Sequence, residues 1–372
     1  MKKPKIAVIG AGRLGGFHAR KLAANPRVEL VAVVDPLPEN RNRVAAECNT
    51  TPMADYGDLL ARLDAAVIAT PTKLHHKLAL DLLGHGVHLL VEKPICSTVA
   101  EADELVSAAR LGGVVLQVGH VERFNPAFTA AATSVEQPKY IEAVRTSGFT
   151  FRSTDVGVVL DLMIHDLDLV LSMVRSPVRR VDALGLSVLG GHEDVANARI
   201  EFNSGCVATL SASRVSYEQL RRMSVWWPGG FAAIDFAARS TSLVRPSETL
   251  LSRRFDVDVL SPEQVEHYKT HLADEHLPRR RRQYEAVDAL ALETEDFVES
   301  ILAARSPIVT GEAGRDALAV AEQILTRINA HAWDDTPDGP AGPSAAPRRR
   351  VIPSPHFATT PAELPMVRKE AG

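Results

Sequence analysis

The stretch IAVIGAGRLGGFHARKLAA, residues 6–24, constrains the fold more than any other part of this chain. A short apolar run ends in Gly10-Ala11-Gly12-Arg13-Leu14-Gly15, and an amphipathic helical pattern follows at once. In a strand–turn–helix setting, the first glycine permits the tight turn. The second lets the backbone approach a pyrophosphate, and the third lets helix and strand pack closely. The helix N-terminus then offers unpaired N–H groups to phosphate. Asp35 ends the next apolar run, LVAVVD, where an acid can bind both ribose hydroxyls of an adenosine. A carboxylate there repels a 2′-phosphate, and the following residue is Pro36 rather than an arginine, so NAD is expected over NADP.

The alternation continues. AAVIAT, VHLLVE and VVLQVG are dense apolar runs, separated by segments such as TVAEADELVSAAR. Buried strands spaced by helices imply a parallel sheet covered on both faces. After about residue 138 the pattern changes to successive strand signals: YIEAVRTSG, RRVDALGLSVLG, VANARIEFNSGCVATLSASR, RMSVWWPGGFAAIDFA and TSLVRP, with NSG and PGG as turns. Two helices are expected around 284–304 and 312–331, parted at Pro307. The expected fold is thus α/β plus α+β, a doubly wound Rossmann domain followed by a largely antiparallel sheet. The expected bounds are 1–122 for the first domain, 123–333 for the second, and 334–372 for a Pro/Ala/Arg-rich tail too polar to offset its ordering entropy.

VVLDLMIHDLDLVL, residues 158–171, is the anomaly: an apolar helix carrying three acids and a histidine. On an α-helix Asp161, His165 and Asp168 share a stripe about 60° wide, while Asp166 points elsewhere. A helix apolar all round is normally buried. The stripe therefore faces a polar partner or a cleft. A metal set of His165, Asp161 and Asp168 is conceivable, but no metal is expected.

Composition excludes other classes. Hydrophobic residues make up 45%, charged residues 24%, and the net charge is −4, without the basic footprint of a nucleic-acid binder. Arg279–Arg282 and Arg348–Arg350 read as solvated clusters. Cys48, Cys96 and Cys206 are widely spaced, which argues against a disulfide framework and fits a reducing compartment. The basic start carries too short an apolar run for a signal peptide, and no stretch approaches a membrane span. A cytoplasmic location is expected.

Glu92-Lys93-Pro94 closes the VHLLVE run, at the carboxyl edge where open sheets bind ligands. Together the glycine loop, Glu92-Lys93-Pro94, Asp161-x-x-x-His165-Asp166, Thr70-Pro71-Thr72 with His75, and the Ser213-Arg214 strand end resemble the glucose-fructose oxidoreductase/inositol dehydrogenase (Gfo/Idh/MocA) family over roughly residues 4 to 330. The resemblance implies a nicotinamide cofactor between the domains, a catalytic lysine at Lys93, and a catalytic Asp/His pair at Asp161 and His165. The polar stripe would then face substrate across the nicotinamide. His165 can take a hydroxyl proton as hydride leaves the same carbon, Lys93 can stabilise the alkoxide, and Asp161 can orient His165 or bind a neighbouring hydroxyl.

Gly10, Gly12, Arg13, Leu14, Gly15, Asp35, Thr70, Pro71, His75, Glu92 and Lys93 are the expected cofactor contacts. Gly119-His120-Val121-Glu122-Arg123-Phe124-Asn125-Pro126 resembles the corresponding turn in family members that are dehydrogenases of nucleotide-activated amino sugars. That implies oxidation at C3 of UDP-N-acetylglucosamine, feeding an aminotransferase in lipid A synthesis, with Arg123 and Asn125 on sugar or diphosphate. Alternatives are an inositol or free-sugar dehydrogenase and a non-catalytic NAD(H)-binding regulator. A homodimer or homotetramer is expected, because Val207, Leu210 and Ala212 of the second sheet need cover.

Overall fold

A computed structural model describes residues 3–151, 156–334 and 339–345. The first unit runs β1 (Lys5–Ile9), α1 (Arg13–Ala24), β2 (Glu29–Val34), α2 (Pro38–Cys48), β3 (Thr51–Met53), β4 (Ala65–Ile68), α3 (His75–Gly84), β5 (His88–Glu92), α4 (Val99–Gly112) and β6 (Leu116–Gly119). Its six strands are all parallel, in the order β3-β2-β1-β4-β5-β6. Ile6, Val8, Val67 and Leu90 pack on one face, and Ala7, Ile68, Leu89 and Val91 on the other. Burial on both faces is what makes these runs apolar throughout instead of alternating. α4 starts on a capping box, in which the Thr98 hydroxyl accepts from Glu101 N–H and Glu101 answers the Thr98 N–H.

The second unit follows α5 (Pro126–Ala132). β7 (Tyr140–Thr146) leads to a π-helical turn, Val159–Met163, which continues as α6 (Ile164–Val174). Then come β8 (Val178–Leu186), β9 (Val195–Phe202), β10 (Val207–Ser213), β11 (Arg221–Trp227), β12 (Gly230–Asp235) and β13 (Ser240–Val244). α7 (Glu248–Leu251), α8 (Pro262–His276) and β14 (Arg279–Gln283) follow. The sheet order is β14-β13-β12-β11-β7-β10-β9-β8, antiparallel except for the β7–β10 pair. α6 covers one face, where Ile141, Ala198, Leu210 and Val225 meet Leu167 and Val170.

Three sequence expectations change here. α9 (Ala289–Leu302) does not belong to the second domain: Phe297 and Val298 pack with Ile6 and Val8 under the parallel sheet. α10 (Gly311–Ala330) bridges both units, since Val309 and Leu318 join the Rossmann core while Ile324 and Ile328 join the other. The chain therefore returns to its first domain, which no linear boundary at 122 captures. Next, Leu210 and Ala212 already lie under helices, so they need no outside cover; only Val207 of the three is partly exposed on the opposite face.

Third, residues 339–345 of the expected tail are ordered. Gly342 N–H donates to His331 O, Trp333 Nε1 to Gly342 O, and Ser187 N–H to Pro343 O. The rest of the expected tail, 335–338 and 346–372, lies outside the described residues. Arg279–Arg282 is solvated as expected, and with Gln283 it forms the edge strand β14, exposed at all five residues. Charged side chains on an edge discourage further strand pairing. Among the described residues no helix is long and apolar enough to cross a membrane.

Candidate active site at the domain junction

The glycine loop is shaped to take a diphosphate. Gly10 sits at φ +96°, and a Cβ there would stand 2.5 Å from Ala69 O. A Cβ at Gly15 would stand 1.8 Å from Gly10 O, so α1 can start against the loop only as glycine. At Gly12 a Cβ would meet nothing within 4 Å, because that side opens into the cleft. Gly12 caps α1 without any side-chain acceptor, which leaves its first-turn amides free for an anion. Asp35 is nearly buried, its carboxylate accepting from Ala11 N–H at 2.7 Å and Leu37 N–H at 2.8 Å. Those bonds fix the carboxylate at the rim where an adenosine ribose would lie.

A cavity of about 920 Å³ runs from this loop to the second domain. Gly10, Gly12, Arg13, Leu14, Asp35, Thr70, Pro71, Glu92 and Lys93 line it from one side, and Val156, Leu160 and Asp161 from the other. The residues present thus fit NAD. Gly15 and His75 do not line this cavity. His75 is buried, with Nδ1 on Pro94 O at 3.0 Å and Nε2 on Thr70 O at 2.8 Å, so it ties together two loops that do.

Lys93, beside a cis Lys93–Pro94 peptide, crosses the junction. Its Nζ donates to Asp161 O at 2.7 Å and lies 3.6 Å from Asp161 Oδ1. Burial lowers its pKa, opposed by the charges of Asp161 and Glu92. The ammonium is therefore easier to deprotonate than an ordinary lysine. The π turn at Val159–Met163 matters here. A helix that returns every five residues loosens its carbonyls, a distortion common at functional sites, and it is the Asp161 carbonyl that receives Lys93. His165 follows on α6, partly buried, with its Nδ1 buried and without a hydrogen-bond partner. Burial drives its pKa well down, and Lys93, Arg145, His120 and Arg221 push the same way. It stands as a neutral base.

The three acids of the anomalous helix each meet one cation, and each cation comes from a different element. Asp161 meets Lys93 after β5. Asp166 meets Arg145 of β7 in a two-pronged pair of 2.7 and 3.0 Å. Asp168 meets Arg123 of the turn after β6 at 2.7 and 3.0 Å. The expected single stripe is therefore split: Asp161 faces the cleft and Asp168 the protein. The conceivable metal set of His165, Asp161 and Asp168 is not assembled, because Asp168 is spent on Arg123.

Arg123 and Asn125 also differ from expectation. Arg123 is held by Asp168, and Asn125 caps α5 through Ala127 N–H while its amide donates to Glu122 and Phe236 O. Both side chains fix the turn that carries His120, Arg123 through Nε and Nη2. Sequence reasoning missed Arg145, which bridges Asp166 and Glu122 at 2.8 Å. Its signal was present: in YIEAVRT, Ile141, Ala143 and Arg145 alternate onto the buried face. It also missed His18, whose Nε2 lies 2.7 Å from Glu92 Oε1, and the fully buried Glu293.

Comparison with known proteins agrees with this geometry. Residues 4–120 match the Gfo/Idh/MocA oxidoreductase family model for an NAD-binding Rossmann fold, and 99–230 match the C-terminal domain of the same family. The chain belongs to the Gfo/Idh/MocA family. It is 36% identical to UDP-N-acetylglucosamine 3-dehydrogenase of Acidithiobacillus ferrooxidans over 88% of this chain and 97% of the relative. A solved structure of that enzyme superposes with a TM-score of 0.77 at 35% identity, covering 88% and 98% of the two chains. The scyllo-inositol 2-dehydrogenase (NAD(+)) of Bacillus subtilis is 30% identical over 57% of this chain and 68% of its own. The chain is accordingly an NAD-dependent oxidoreductase with a Rossmann domain and an α+β partner domain.

Proposed function

We propose that the protein oxidises the C3 hydroxyl of UDP-N-acetylglucosamine to the 3-keto sugar. The observation that carries the reading is the junction itself, where Lys93 is bonded to Asp161 across the cofactor cleft beside a neutral His165. Bound NAD accepts the hydride. His165 takes the hydroxyl proton, for which a neutral, desolvated imidazole is suited. Lys93 stabilises the developing alkoxide, and Asp161 holds Lys93 and is open to a neighbouring hydroxyl. The choice of a nucleotide sugar over an inositol is supported by the A. ferrooxidans relative, matched over nearly its whole length. The presence of both Lys93 and His165 supports catalysis over a regulatory role.

The 3-keto product is the kind of carbonyl an aminotransferase takes, which fits a place in amino-sugar lipid A synthesis. A cytoplasmic location fits three free cysteines. Assembly as a dimer or tetramer is supported by the uncovered sheet face, where Tyr140, Trp226 and Phe231 stack at 5.2 and 4.8 Å and are only partly buried. The test is NADH formation with a panel of UDP-sugars and inositols. UDP-N-acetylglucosamine should give the highest kcat/KM; a preference for myo- or scyllo-inositol would replace this substrate.

A further inference from the structure

His120 has no role in the reading above, yet it lies at its centre. It is fully buried just after β6, and among the described residues neither Nδ1 nor Nε2 has a hydrogen-bond partner. Leaving two imidazole nitrogens buried without partners is costly. The ring stands edge-on to His165, with centroids 6.2 Å apart and planes at 90°. The nitrogen of His165 that turns inward, Nδ1, is likewise buried and without a partner.

Asp161, expected to orient His165, serves Lys93 instead. With the ring centroids 6.2 Å apart, the two imidazoles are neighbours but not hydrogen-bonded. Catalytic hydrogen bonds are often long in unliganded enzymes and tighten in the complex. We propose that His120 is the positioning residue for His165: it accepts the Nδ1–H of His165, which leaves the Nε2 lone pair aimed at the substrate hydroxyl, and then receives the proton.

The charges around the two rings set the direction. The largest charge effects on His165 come from Lys93, Arg145, His120 and Arg221, all of which disfavour its protonation. His120 faces Asp168 and Glu92 as well as Arg123 and Lys93. An imidazolium is therefore less disfavoured at His120 than at His165. The step balances: the C–H hydride goes to NAD, the hydroxyl proton to His165 Nε2, and the Nδ1 proton of His165 to His120. The Arg123–Asp168 and Asn125 bonds then gain a purpose, since they fix the turn on which His120 stands.

This inference rests on His165 being the base, so His165→Ala is measured beside it, with UDP-N-acetylglucosamine, NAD and the inositols as substrates. His120→Ala and His120→Asn are each assayed for kcat, both KM values, NADH binding by fluorescence, and melting temperature. His120→Ala should lower kcat by about 10- to 100-fold, the usual cost of losing an outer partner, with both KM values within about twofold. Added imidazole should restore kcat in a concentration-dependent way, because it supplies the missing acceptor. His120→Asn, which keeps a polar partner for Nδ1–H but cannot carry the proton, should fall between.

Wild-type kcat in both variants would overturn the proposal. A raised sugar KM with unchanged kcat would overturn it too, by making His120 a substrate contact. So would a fall in kcat in both variants that imidazole does not relieve. If His165→Ala itself retained activity, the assignment of the base would fail, whatever His120 did.

Discussion

Glu293 offers a test of the junction that does not depend on turnover. It sits on α9 with no exposed surface, and neither carboxylate oxygen has a hydrogen-bond partner. Ligand atoms of Glu293, His18 and Glu92 lie within 4.8 Å of one another. Burial raises its pKa well above the ordinary glutamate range, and the charges of Glu92, Asp296 and Asp168 add to the effect. The folded protein thus keeps a proton that the unfolded chain releases above about pH 4.3. With the folded state binding more protons, stability falls as pH rises from the unfolded value towards the folded one. The limiting slope is about 1.4 kcal/mol per pH unit for one group.

Glu293→Gln removes the titration and leaves the shape. Between pH 5.5 and 7.5 the variant should gain up to about 2.7 kcal/mol on the wild type, twice the one-unit value. The glutamine N–H groups need acceptors, for which the nearby Glu92 carboxylate serves, so about half that gain is the expected result. In a chain of this size that corresponds to about 2 °C in Tm. Differential scanning fluorimetry at both pH values reads it. A Tm difference that does not change with pH, or a variant less stable at both, would refute the neutral carboxyl. So would a wild-type Tm that drops on adding a chelator, because then a cation and not a proton offsets the charge.

Three further outcomes are expected. Asp35→Ser with Pro36→Arg should shift preference from NAD towards NADP in paired KM measurements; wild-type binding of NADP equal to NAD would remove the ribose role of Asp35. Arg145→Met strands Asp166 and Glu122 in the core, and losing one member of a buried ion pair costs about 3–5 kcal/mol; a denaturant midpoint near wild type would contradict the burial. Trp226→Glu on the uncovered sheet face should lower the assembly state seen by light scattering, and a wild-type protein that is monomeric at micromolar concentration would end the assembly proposal.

The parallel sheet was legible because its signals are local. Each strand is a continuous apolar run, the glycine loop follows its strand directly, and Asp35 follows at a fixed remove. Lys93 was legible through the family resemblance, since its place at a strand end alone does not distinguish it from a surface lysine. α9 was not: its pattern says helix, but nothing local says that Phe297 returns to Ile6 across most of the chain. β14 was hidden for a different reason. An edge strand exposed at every residue buries no side chain, so RRRRQ carries no alternation to read.

The polar part of the site shows the same limit more sharply. Helical spacing put Asp161, His165 and Asp168 on one stripe, an inference that assumes an unbroken α-helix. The π turn breaks that assumption, and the partner of each acid comes from far away: Arg145 is 21 positions from Asp166, and Arg123 is 45 from Asp168. One sequence gives the acids but not their cations. Once the three pairs are assigned, the odd group out is the informative one. The acids pin α6 to the cofactor edge, to β7 and to the turn after β6, three anchors that hold one short segment of backbone. His165 lies between those anchors with no ion pair of its own, so its position is fixed by its neighbours' bonds while its nitrogens stay available. A histidine held this way can gain and lose a proton without disturbing the contacts that place it.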